Sequence, residues 1–201
     1  MLFQWGSQLS QRASIFLSRG RAYLTAGDRL METDAAFIDL FDPLATLFLF
    51  SIEISLKACL VHANGENPNR HFIGQFLISA IESGLKVGSE DVEVIVMATT
   101  AYELHAPRYA PVKQTVSTPS IHTLQATARN VSERCIAFVR GSADDYSAAI
   151  SLEDAIAMRD RVMANYQAGV RDFDPAKVWP ADSTDLPYPL GTVIQTKFKE
   201  P

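Results

Sequence analysis

Leu9, Ala13, Phe16, Gly20, Leu24, Gly27 and Met31 follow one another at three- and four-residue steps. That period stacks side chains on one face of an α-helix, so a first helix is expected over about residues 8–32. Its two glycines lower helix propensity but permit close packing. Asp42-Pro43 has the form of an N-cap and first-turn proline. The second helix then runs to about Ala63 and stops at Asn64-Gly65, a C-cap signal. It is apolar on nearly every side, which predicts the central helix of a bundle. A third helix carries Phe72, Phe76, Leu77, Ala80 and Ile81 on one side and ends at Gly84.

Ser89 and Asp91 open a fourth helix containing Val92, Val96, Ala101 and Tyr102. Its segment VEVIVM has strand propensity, but no second strand pattern lies beside it, so it is read as helix. Pro107 and Pro111 break it. Thr118-Pro119 opens a fifth helix with the cleanest register in the chain: Ile121, Leu124, Ala128, Val131, Cys135 and Phe138, closed by Gly141. Ser151 with Asp154 forms a capping box for a sixth, shorter helix bearing Ile156, Val162, Met163 and Tyr166. Beyond about Val170 the pattern dissolves. The last stretch holds five of the ten prolines, which predicts an extended arm, with a short strand conceivable at GTVIQTKF. The expected fold is therefore all-α, a helical bundle of about five helices with a sixth short helix and a proline-rich C-terminal arm.

Composition changes this picture little. An apolar fraction of 47% over 201 residues suffices for one core. The net charge of -5 disfavours a general nucleic-acid coat protein. Most of that charge lies late, with ten acidic against six basic residues from position 141 onward. Cys59 and Cys135 are read as small core residues of a reducing compartment, not as a disulfide scaffold. The N-terminus lacks the basic and apolar regions of a secretory leader. The run PLATLFLFSI is about half of what a membrane span needs. A soluble, cytoplasmic protein without membrane contact is expected.

The candidate chemistry starts with two charges. Between Pro43 and Gly65, Glu53 and Lys57 are the only charged side chains. Four residues apart on a helix, they share a face and can pair. They form either a solvated stripe or a polar seam against another helix. A seam needs further polar groups, and Arg70, His71 and the HAPRYAP segment, with His105, Arg108 and Tyr109, supply candidates. The four histidines, His62, His71, His105 and His122, lack metal-site spacing, so no metal or other cofactor is expected. Ser83 and Lys86 match the Ser-x-x-Lys pattern of penicillin-binding enzymes without its companion motifs. Arg12, Arg19, Arg21 and Arg29 make the first helix basic, and Arg129, Arg134 and Arg140 do so for the fifth. If these helices are neighbours, they offer a modest anion or RNA surface.

Glu53, Leu56-Lys57-Ala58, Gly65 and His71 stand in an order that resembles the HEPN (higher eukaryotes and prokaryotes nucleotide-binding) family of small helical bundles. Tyr102, Arg108 and Tyr109 resemble the tyrosine and arginine-tyrosine segment that often follows there. The resemblance covers about residues 8–140, leaving 141–170 as an accessory helix and 171–201 as the arm. Catalytic members are metal-independent ribonucleases that use an arginine followed four to six residues later by a histidine. No histidine of this chain has an arginine at that spacing. The resemblance therefore implies a non-catalytic binding or adaptor module, dimeric through its helices, with RNA or a nucleotide as ligand and no catalytic residue. Glu53, Lys57, Arg70, His71, His105, Arg108 and Tyr109 are its candidate binding residues. Two alternatives stay open: a toxin-type ribonuclease with an atypical site, and a structural assembly protein whose arm docks on a partner through Trp179, Tyr188 or Phe198.

Overall fold

The computed structural model describes residues 2–33, 37–65, 68, 71–104, 119–142 and 146–171, with the backbone alone at 2–10, 37–39, 100–104 and 166–171. Arg70, His105, Arg108, Tyr109, the breaks at Pro107 and Pro111, and the arm with Trp179, Tyr188 and Phe198 lie outside the described residues. Among the described residues, six helices form an all-α bundle: α1 (Leu2–Met31), α2 (Phe37–Asn64), α3 (Ile73–Glu82), α4 (Ser89–Leu104), α5 (Ile121–Arg140) and α6 (Leu152–Arg171).

α2 is the axis of the fold. It packs against α1, α5 and α3. Leu44, Phe48, Ile52, Leu56 and Cys59 are fully buried along it. Each large side chain so buried contributes about 1.5–3 kcal/mol of hydrophobic transfer free energy. The stretch Leu40–Asn64 is long and apolar enough to cross a bilayer, longer than PLATLFLFSI suggests. Its most apolar window is 72% buried inside the bundle, which accounts for its composition as core.

α2 also begins earlier than the sequence suggests. Pro43 is inside the helix, not in its first turn. Leu40 and Phe41 pack on the core, and that burial outweighs the missing proline N–H. The helix stops as expected at Gly65, whose φ of 72° suits glycine. VEVIVM is helical within α4, with Val92, Ile95 and Val96 buried. Phe72 differs from expectation. It is the N-cap residue of α3 and 45% exposed, so Ile73 takes the buried place at that end.

The α5 register holds. Ile121, Leu124, Ala128, Val131 and Cys135 are buried, and Gly141 closes the helix in the left-handed region at φ 67°. Its N-cap is Ser120, whose Oγ accepts the Thr123 N–H at 3.1 Å. At α6 the expected box forms: Ser151 Oγ accepts the Asp154 N–H at 3.1 Å and donates to its carboxylate at 2.7 Å. With 20 residues, α6 is as long as α5, not shorter. It packs on α3 and α4. The connector before it is pinned by the Ile150 N–H, donated to Val87 O at 2.9 Å, and by the Arg134 guanidinium stacked 3.7 Å above the Tyr146 ring.

Candidate polar seam between the second and third helices

Glu53 and Lys57 sit mid-way along α2, where the helix is buried nearly all round. They are 2% and 6% exposed, so they are not a solvated stripe. Two unpaired charges there would cost several kcal/mol each. They are paired instead: Lys57 Nζ lies 2.7 Å from Glu53 Oε1. The same oxygen meets His71 Nδ1 at 2.9 Å. The Phe76 ring, one turn into α3, lies 5.2 Å from the ammonium and gives it a π-face.

His71 behaves differently from its partners. Its side chain is 76% exposed while the carboxylate that holds it is 3% exposed. A carboxylate only accepts, so Nδ1 carries the hydrogen of this contact. The seam thus fixes one imidazole at the surface through a buried anchor. The structure brings Glu53, Lys57 and His71 together. Of the other candidates, Arg70, His105, Arg108 and Tyr109 lie outside the described residues. Phe76 was legible only as an apolar core position.

The remaining polar groups do other things. His62 packs edge-on against Phe138 with ring centroids 5.7 Å apart. Asp91, at the start of α4, accepts from Asn130 of α5 at 3.3 and 3.4 Å. Burial pushes its carboxyl above the usual carboxylate range, against the lowering effect of its hydrogen bonds to Asn130 and Thr127. Cys59 and Cys135 are free and buried. Burial, and the hydrogen bond that brings Cys59 to it, push the Cys135 thiol well above its ordinary range. The two basic helices are neighbours. They run antiparallel and are tied at one end, where Asp28 accepts from Gln125 at 2.6 Å and from Arg129 at 3.0 Å.

Family models, curated proteins and solved structures gave no match to this chain. The seam therefore has to be interpreted from its own geometry.

Proposed function

We propose that the chain is a non-catalytic HEPN-like binding module that acts as a homodimer, with RNA or a nucleotide as its ligand. The observation that carries the reading is the closed ion pair. Glu53 and Lys57 satisfy each other inside the bundle, so among the described residues of the seam only His71 presents an ionisable group to solvent. Metal-independent cleavage of RNA needs a base and an acid on either side of one phosphate. One exposed imidazole on a structural anchor suits contact with a ligand better than turnover. The arginine-to-histidine spacing of the family's ribonucleases is also missing.

The dimer reading rests on α2. Leu47, Phe50 and Ile54, spaced three and four apart, remain half-buried on a face turned away from the one that Leu44, Phe48 and Ile52 bury. Tyr23 of α1 meets Phe50 edge-on at 5.5 Å and extends the stripe. An apolar stripe of this kind suits a second copy.

The test is the full chain incubated with labelled single-stranded RNA and a chelator. Retention of the RNA on the protein without cleavage is expected, with His71→Ala weakening retention. Cleavage that vanishes in His71→Ala or His105→Ala, with the variant still folded, would return the chain to the ribonuclease class.

A further inference from the structure

Away from the seam, α1 and α5 enclose a groove of about 440 Å³ lined by Ser14, Ser18, Arg21 and Thr25 on one side and Ile136 and Arg140 on the other. That volume lies within the roughly 300–1,000 Å³ that small-ligand sites occupy. Its α1 wall is a second stripe. Ser14, Ser18, Arg21 and Thr25 follow four-three-four spacing, one position round from the buried face of Ala13, Leu17 and Gly20. The floor is apolar, since Leu17 and Val139 are each 8% exposed and also line the groove.

The arginines of these two helices are not alike. Arg129 is neutralised by Asp28, and Arg134 is stacked on Tyr146. Among the described residues, Arg21 and Arg140 have no acidic partner and no carboxylate lines the groove. The groove therefore holds two guanidinium groups without an acidic partner among the described residues, the Ser18 and Thr25 hydroxyls beside them, and an apolar floor. Guanidinium forks match phosphate oxygens in geometry and charge. A flat or apolar body can lie on Leu17, Ile136 and Val139 while its phosphate meets the arginines.

We propose that this groove is a phosphate-recognition site for a nucleotide unit, either free or within single-stranded RNA. The proposal names the place and chemistry of ligand contact for the binding module above, and on that point it rests on that reading. It needs neither the dimer nor His71.

The experiment is fluorescence polarisation of the full chain with two probes, a labelled adenine nucleotide and a labelled single-stranded RNA, each at several salt concentrations. Arg21→Gln and Arg140→Gln are expected to weaken binding by about tenfold each. Arg161→Gln, on the exposed side of α6, is the control and leaves binding unchanged. Binding of the nucleotide alone assigns the site to free nucleotides. RNA binding whose salt slope flattens by about 1.4 in the double arginine variant assigns it to the RNA backbone. Absence of binding by both probes overturns the proposal, as does binding that the double variant retains in full. Circular dichroism is the check that these surface variants keep their helices. Loss in the arginine variants that exceeds the weakening in His71→Ala separates this groove from the seam. Binding lost in His71→Ala but kept in the arginine variants leaves the module reading standing and refutes the groove.

Discussion

Lys57 Nζ lies 2.7 Å from Glu53 Oε1, one helical turn along the same buried face of α2. Inside a protein, breaking such a pair costs more than replacing it. Lys57→Met keeps the packing near Phe76 but leaves the carboxylate with His71 alone among the described residues. The expected loss is about 3 kcal/mol or more, the range found when one buried partner is removed. Glu53→Gln together with Lys57→Met should recover most of it. Urea unfolding of the wild type and the two variants checks this. A loss below about 1 kcal/mol for Lys57→Met would place the pair among exposed ion pairs.

The second prediction concerns close approach between α1 and α2. A Cβ on Gly27 would lie 2.5 Å from the Phe48 ring, which is fully buried and has nowhere to go. Gly→Ala inside a helix gains about 1 kcal/mol of propensity, while overpacking costs about 1–3 kcal/mol. Gly27→Ala is therefore expected to destabilise. At Gly20 the nearest atom is the Ser55 hydroxyl, 2.6 Å away, with the Ser51 carbonyl oxygen at 3.2 Å. The Ser55 hydroxyl is buried without a partner among the described residues, so Ser55→Ala alone is neutral to stabilising. Gly20→Ala with Ser55→Ala should melt higher than Gly20→Ala alone. Thermal denaturation showing no difference between those two would remove the contact from the account.

These contacts mark where the sequence is readable and where it is not. The register of α5, its Gly141 stop and the Ser151–Asp154 box are local patterns, and local hydrogen bonding realises them. Pro43 misled because a first-turn proline and an interior one look alike until Leu40 and Phe41 find the core. The shared face of Glu53 and Lys57 follows from four-residue spacing. The contact with His71 depends on the path of the chain after Gly65, which no local period encodes. The meeting of Cys59 with Cys135 and of Asp91 with Asn130 depends likewise on how α2, α4 and α5 are placed.

Asp91 sets a pH dependence. Its folded pKa is raised by burial, so between the ordinary carboxylate pKa and the raised one the folded state binds more protons than the unfolded state. Stability from this group is highest below the ordinary value and falls as pH rises through the raised one. Asp91→Asn removes that term and keeps a polar partner for Asn130. The melting temperature of the variant relative to wild type should therefore rise from pH 3 to pH 7. A difference that stays constant or shrinks over this range would contradict the burial argument.

Phe50 tests the dimer. It sits half-buried between Leu47 and Ile54, with Tyr23 against its ring. A glutamate at its place puts a charge in the middle of the stripe, where a partner's apolar side chains would have to desolvate it. Light scattering is expected to give twice the 22.1 kDa chain mass for wild type and the single mass for Phe50→Glu. A wild-type mass equal to one chain across micromolar concentrations would refute the homodimer.

The thiols supply the last prediction. Cys59 and Cys135 are both completely buried, on facing helices. Alkylation requires a thiolate in contact with reagent. Burial opposes it twice, by excluding the reagent and by raising the Cys135 pKa, with Cys59 reinforcing the rise. Neither thiol should react in the native state. Raising the pH to about 9, which ionises most of an ordinary exposed thiol, should accelerate labelling little unless the bundle itself opens. Both cysteines should then label together, because the same α2–α5 interface must part to expose either one. Mass spectrometry after timed iodoacetamide exposure distinguishes the outcomes. Unmodified and doubly modified chains with few singly modified ones are expected in the presence of low urea. A native chain rapidly modified at one cysteine would show that the interface is open where the structure closes it.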